Sequence, residues 1–399
     1  MELLAPAGDL NKLKYAVYYG ADAVYAAGNN FGLRAKSTNF SEAHLKEAVD
    51  FCHKYDRKIY ITVNIFAHNS DIEQLPKYLT FLQKIGVDAL IISDPGVFSL
   101  AKEFAPDVDI HISTQANVTS WSAVDFWYKL GAKRIILARE LGIKEITEIK
   151  KKVPKIELEM FVHGAMCMSY SGRCLISAFL NNRSANRGLC TQPCRWEYNL
   201  IEKSRPGEFF KIEEDERGSY FFNSKDLNLI KRIPQIKIAG IDSIKIEGRM
   251  KSLYYVATVT RAYRTAIEAG INTVSTETQE ELNKVSHRYY SEAFFDKFDS
   301  SETQYYGSSA YIRDYQFVGE IIEVKGISAF ISIKAKFCIG DEIEFIFPNS
   351  KDDIKIIVKN IFNEENEMIQ LTKPNTIIRL DLDKKLPKWG IVRKKNIEE

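Results

Sequence analysis

No uninterrupted apolar stretch of this chain approaches the roughly 18 residues that a membrane-spanning helix needs. The N-terminus, Met1-Glu2-Leu3-Leu4-Ala5-Pro6-Ala7-Gly8, carries neither a basic region nor an apolar leader, so a cytoplasmic protein with no membrane partner is expected. Charge of one sign is also missing. A net charge of +2 demands no nucleic-acid or membrane surface, and the Lys150-Lys151-Lys152 run reads as a solvated helix face. Neither His-Glu-x-x-His nor Gly-x-Ser-x-Gly occurs, which removes the metalloprotease and serine-hydrolase signatures. Cysteine is scarce except in one place: of six, only Cys52 and Cys338 lie outside positions 167 to 194. In a reducing compartment that distribution excludes a disulfide framework and points to metal ligands or reactive thiols.

What the chain does have is a repeat. Gly20-Ala21-Asp22-Ala23-Val24-Tyr25 recurs as Gly86-Val87-Asp88-Ala89-Leu90-Ile91, Gly131-Ala132-Lys133-Arg134-Ile135-Ile136 and Gly240-Ile241-Asp242-Ser243-Ile244-Lys245. Each copy ends an amphipathic segment on glycine and opens a short apolar run, as where a helix hands over to a buried parallel strand. Leu3 to Ala5, Lys58 to Asn64, Asp109 to Thr114 and Glu157 to His163 supply four further strands. Eight alternating strands predict an α/β fold of (β/α)8 TIM-barrel type, with an open doubly wound sheet as the alternative. Between them, Ser41 caps a helix whose stripe Leu45, Ala48, Val49 and Cys52 faces the core, so Cys52 reads as packing. The long interval between strands seven and eight is an insertion at the C-terminal face, where barrels build active sites. Past residue 305 the pattern alternates, predicting a small all-β barrel domain over 305–399 behind a catalytic domain of 1–304, with the insertion near 164–225. Cys338 sits at a turn of that second domain and reads as structural.

The insertion holds Cys167-x6-Cys174-x15-Cys190-x3-Cys194. Four thiolates suit either tetrahedral zinc or a 4Fe-4S cluster; the usual zinc knuckle pairs cysteines two residues apart, and neither pair here does. A catalytic thiol activated by His163, four residues before Cys167, is the competing reading, and it leaves three clustered cysteines without a purpose. Ser243-Ile244-Lys245-Ile246-Glu247-Gly248-Arg249 ends the eighth strand, and a period of two puts Lys245, Glu247 and Arg249 on one face. That row is either an ion network closing the barrel or, at Arg249, an anchor for a carboxylate or phosphate. Asn64, Gln115 and Arg139 end the third, fifth and sixth strands, where substrate contacts or loop caps are equally expected.

The strand-end His163-Gly164, the block Cys167-Met168-Ser169-Tyr170-Ser171-Gly172-Arg173-Cys174, and Lys245-Ile246-Glu247-Gly248-Arg249-Met250 resemble the bacterial peptidase U32, or collagenase-like, family. Cys190-Thr191-Gln192-Pro193-Cys194-Arg195-Trp196-Glu197-Tyr198 is most similar to its tRNA uridine hydroxylation branch. The resemblance implies prephenate-dependent conversion of the tRNA wobble uridine to 5-hydroxyuridine, with Cys167, Cys174, Cys190 and Cys194 as ligands of a 4Fe-4S cluster. Some branches take the fourth ligand from farther downstream, where this chain offers Asn223 and no cysteine, so Cys194 must fill that place. Within the same resemblance His163, Glu247 and Arg249 become candidate catalytic groups. Asn64, Gln115, Arg139, Tyr170, Arg173 and Arg195 become substrate contacts, with Trp196 and Tyr198 beside them. The partners implied are tRNA, prephenate, and an electron donor or accessory protein. An oxygen-independent hydroxylase of rRNA cytidine or of a quinone ring, a protease, and a non-catalytic RNA-binding scaffold remain alternatives.

Overall fold

The computed structural model describes residues 1–29, 31–32, 39–166, 174, 176–181, 183, 190, 193, 214–215, 218–219, 224–270, 273–296 and 311–396. Its larger part is a closed ring of eight parallel strands. These are β1 (Glu2–Pro6), β2 (Ala23–Ala26), β3 (Lys58–Val63), β4 (Ala89–Ile92), β5 (Asp109–Ile112), β6 (Arg134–Ile136), β7 (Glu157–Ala165) and, after the insertion, β11 (Ser243–Ile246). Closure is direct: β11 pairs with β1 through Glu2 and Ser243, and with β7 through Ser243 and Glu159. The barrel is therefore complete, and the open sheet is excluded.

Each strand is buried on both faces, which explains the near-continuous apolar runs. Val24, Ile59, Ile61, Leu90, Ile135 and Leu158 join the large core shared with the helices. Leu4, Ala23, Tyr25, Tyr60, Ala89, Ile91 and Ile136, with Phe161, form a separate cluster that fills the ring itself. The helices start where the sequence offers a cap: Lys12 N donates to Asp9 Oδ1 at 2.9 Å, Val97 N to Asp94 at 3.0 Å, and His44 N to Ser41 at 3.2 Å. Cys52 is fully buried on the Ser41-capped helix, in the packing position its spacing implies.

Strand β7 is longer than its barrel neighbours, and its last three residues rise past the ring. There it is met antiparallel by β10 (Asp226–Asn228), pairing Ala165 with Asp226 and His163 with Asn228. The insertion thus leaves and rejoins the barrel through one two-stranded ribbon, with a small hairpin of β8 (Glu214–Asp215) and β9 (Gly218–Ser219) inside it. A further strand, β12 (Tyr290–Ser291), adds to β10 in parallel.

The C-terminal part is an antiparallel six-stranded half-barrel in the order β16-β15-β18-β13-β14-β17. The strands are β13 (Tyr315–Lys325), β14 (Ser328–Ile333), β15 (Glu342–Ile346), β16 (Ile354–Ile357), β17 (Ile377–Asp381) and β18 (Ile391–Lys395). Alternation along them supplies an independent core of Val318, Ile331, Ile333, Phe345, Ile378 and Val392, among others. Polar contacts lock it to the barrel: Tyr19 Oη donates to the carbonyls of Ile346 and Trp389 at 2.9 and 2.8 Å. Arg261 Nη1 donates to Phe347 O at 2.7 Å, and Arg393 donates to Glu344 at 2.8 Å and Glu281 at 2.9 Å.

Candidate active site at the barrel mouth

The floor of the ring is ionic. Arg134, on β6, donates to Glu157 through Nε and Nη2 at 2.9 and 2.8 Å, to Glu159 at 3.1 Å, and to Glu2. Tyr60 Oη and Ser243 Oγ donate to Glu2 at 2.7 and 2.9 Å. Burial raises the Glu2 carboxyl, and the Arg134 hydrogen bond and charge outweigh it, so its pKa falls below the ordinary value. Lys245 stands one level higher, 3.3 Å from Glu159 Oε1 and over the rings of Tyr25 and Phe161 at 4.4 and 5.3 Å. Burial lowers its pKa, with Glu159 opposing. Lys245 is therefore part of a barrel-closing ion network whose carboxylate is Glu159.

Above this floor the C-terminal strand ends converge. Arg249, only 7% exposed, reaches Thr62 Oγ1 at 3.5 Å, two residues before Asn64. Asn64 Nδ2 donates to Ser113 Oγ at 3.4 Å, and the Gln115 backbone N–H donates to the same oxygen at 3.4 Å. Ser93 Oγ donates to the Asn64 carbonyl at 3.2 Å. Arg139 donates to Ala165 O at 3.4 Å and lies 6.0 Å from the Phe161 ring, at the foot of the β7–β10 ribbon. Four of the expected contacts, Asn64, Gln115, Arg139 and Arg249, thus share one rim. Glu247 is half-buried beside them; its carbonyl accepts from Tyr255 Oη at 3.0 Å, and its N–H donates to His163 O at 2.9 Å.

His163 is placed elsewhere. Simple alternation would put it inward with Glu159 and Phe161, but the register between β7 and β11 shifts by one residue between Lys245 and Ile246, pairing Ile246 with His163. The imidazole consequently packs among Tyr255, Tyr263 and Tyr290, at ring distances of 5.9, 5.5 and 5.4 Å. It is 1% exposed, and burial followed by the charges of Lys251 and His287 pushes its pKa down to about 3.

In the sequence, the cysteine block begins two residues beyond the end of β7. Cys174 is half-buried and Cys190 exposed; Cys167, Cys194, Tyr170, Arg173, Arg195, Trp196, Tyr198 and Asn223 lie outside the described residues. Among the described residues no three His, Cys, Asp or Glu side chains are grouped to hold a metal ion. Also among these residues, no helix is long and apolar enough to cross a membrane.

Sequence reasoning missed Arg134, Glu159, Ser113 and Asn117. The alternation Glu157-Leu158-Glu159-Met160 was a usable signal for inward carboxylates. Asn117 carried none, since its left-handed backbone, φ 52°, appears only once the turn is built.

Peptidase family U32 matches residues 8–305, and the family's C-terminal domain matches residues 313–393. A tRNA hydroxylation protein P1 of Bacillus subtilis is 41% identical over 98% of this chain and 94% of its own length. The 23S rRNA 5-hydroxycytidine C2501 synthase of Escherichia coli is 37% identical over 67% of this chain and 39% of its own length. A collagenase of Porphyromonas gingivalis is 33% identical over 88% of this chain and 87% of its own length. A matching profile over most of the barrel, with relatives of this identity along nearly the whole length, makes the chain a member of peptidase family U32.

Proposed function

We propose that the chain is a tRNA hydroxylase that converts the wobble uridine to 5-hydroxyuridine in the cytoplasm. The observation that carries the reading is the end-to-end similarity to a protein named for tRNA hydroxylation, at 41% identity. The barrel mouth suits such a substrate. Carbon 5 of a loop uridine becomes reachable once the base is unstacked into a pocket, and pockets that receive bases supply amide and guanidinium groups. Asn64, Gln115, Arg139 and Arg249 provide both. Arg139 and Arg249 also suit the carboxylates of prephenate, the co-substrate in this reading. A hydrolase reading, as the family label suggests, finds no nucleophile paired with His163 among the described residues, where the ring packs into a tyrosine cluster.

The donor chemistry of Cys167, Cys174, Cys190 and Cys194 fits a 4Fe-4S cluster, and in sequence the block follows directly on β7, whose end meets Arg139 of the mouth. Bound there, such a group would supply one-electron chemistry, with an electron donor or accessory protein as partner. Around it, Arg249 and Arg139 orient anionic substrate groups, Glu247 offers a half-buried carboxylate for a proton, and His163 is a positioning residue under the ribbon.

Mass spectrometry of tRNA nucleosides tests the activity. A strain emptied of its own uridine hydroxylases regains 5-hydroxyuridine when supplied with this chain; no 5-hydroxyuridine, with full-length protein present, rejects the reading. Protein purified without oxygen contains iron and sulfide in equal amounts, whereas stoichiometric zinc without sulfide rejects the cluster.

A further inference from the structure

The turn between β5 and the helix Trp121–Lys129 holds two buried hydrogen-bond acceptors with nothing to accept. Among the described residues neither Gln115 Oε1 nor Asn117 Oδ1 has a partner; both oxygens are buried, while the residues that carry them are only partly so. Buried polar atoms are paired in native proteins with few exceptions, and the exceptions call for an explanation. The backbone of the turn is pinned on both sides, so a partner is met by turning the two side chains toward an incoming donor and not by moving the turn. Ser113 N donates to Ile92 O at 2.7 Å, Thr114 Oγ1 to Leu137 O at 3.0 Å, and Ala138 N to Val118 O at 3.2 Å. Asn117 is itself held left-handed, φ 52°, by its N–H on Thr114 O at 3.0 Å. A non-glycine residue fixed there, with an idle amide at a barrel mouth, is the kind of local strain that accompanies ligand sites.

The missing partner must bring N–H or O–H donors. An unstacked uridine brings both: N3–H between two carbonyls on its pairing edge, and the ribose 2′-hydroxyl. Cytidine lacks the N3 hydrogen. We infer that Gln115 and Asn117 read the target uridine, their amide oxygens accepting from N3–H and from the ribose hydroxyl. This rests on the tRNA uridine reading and names the residues that select the base. Asn64, whose Nδ2 donates to Ser113 Oγ of this turn, and Arg249 then supply donor groups at the same mouth.

The test uses Gln115→Met, which keeps length, and Asn117→Gly, which keeps the left-handed backbone. Each is expressed as full chain in the strain lacking its own uridine hydroxylases. Each variant is expected to lower tRNA 5-hydroxyuridine about tenfold or more, as for loss of one buried hydrogen bond. Thermal stability should hold or rise, since each change deletes an unsatisfied buried acceptor. Affinity for tRNA in a gel shift should move by less than about twofold, because phosphate contacts dominate binding. Wild-type 5-hydroxyuridine in both variants overturns the inference. So does a loss accompanied in both by a lower melting temperature, which marks a structural role. No 5-hydroxyuridine from the unsubstituted chain instead rejects the uridine reading on which the inference rests.

Discussion

Glu159 is fully buried between Arg134, at 3.1 Å, and Lys245, at 3.3 Å, so it is the carboxylate that links the two cations inside the ring, while Glu2 and Glu157 also pair with Arg134. Removing one member of a buried ion network leaves charge unpaired, and Glu159→Gln is expected to cost about 3 to 5 kcal/mol in denaturant unfolding. Arg249 differs, for it lies at the rim, where its Nη1 reaches Thr62 Oγ1 at 3.5 Å. Arg249→Lys keeps the charge and loses the planar fork, so 5-hydroxyuridine should fall about tenfold with stability little changed. Unchanged activity would make Arg249 structural. Lys245 was legible as an inward charge from its period, but the carboxylate that pairs with it was not. Glu159 comes from a strand 86 residues away, and no local pattern carries that pairing. The packing of His163 was not legible for a related reason: alternation along β7 predicts a face only while register holds, and a one-residue shift turned the ring outward.

At the level of elements, glycines let neighbouring loops touch. A Cβ on Gly8, in the loop after β1, would stand 2.2 Å from Arg249 O, and one on Gly164 would stand 2.8 Å from Glu247 O. Gly164 also needs φ +105°, which side chains rarely adopt. Gly8→Ala must therefore displace the Arg249 loop. We expect a loss of about 1 to 3 kcal/mol, as for overpacking, and a fall in 5-hydroxyuridine larger than the stability loss explains. Thermal melts alongside nucleoside analysis check this. All eight barrel strands were visible in the sequence because buried parallel strands announce themselves as apolar runs, four of them opened by a helix-ending glycine. Ring closure was not, since it rests on the pairing of Glu2 with Ser243 across the whole domain. Strand β10 escaped because three residues, Asp226-Leu227-Asn228, are too few to show a period.

Across the whole molecule, the half-barrel is fastened to the catalytic ring by charges removed from water. Arg393 is 2% exposed and bonded to both Glu281 and Glu344, while Arg261 holds Asp353 at 2.8 Å and Glu281 at 3.1 Å. Burial alone would raise the Glu281 carboxyl; the hydrogen bond and charge of Arg393, then Lys284, outweigh it and hold it at about 2, against an ordinary 4.5. The unfolded chain therefore takes up a proton near pH 4.5 that the folded chain refuses. Stability present above pH 4.5 is lost as pH falls from 4.5 toward 2, and Arg393→Met should flatten that slope in acid-unfolding curves while costing about 3 kcal/mol at neutral pH. The two cores were legible as a change of period near residue 305, whereas their fastening, made of pairs far apart in sequence, was not. What unites these parts is the proposal that the mouth of the ring, with the cysteine block that follows β7 in sequence, hydroxylates an anticodon uridine. Mass mapping of anticodon fragments, from a hydroxylase-free strain carrying either this chain or a version with Cys167, Cys174, Cys190 and Cys194 all replaced by serine, tests it most directly. The account predicts one added oxygen on the wobble uridine with the intact chain and none with the serine version. An equal gain from both versions, or from neither, would contradict it.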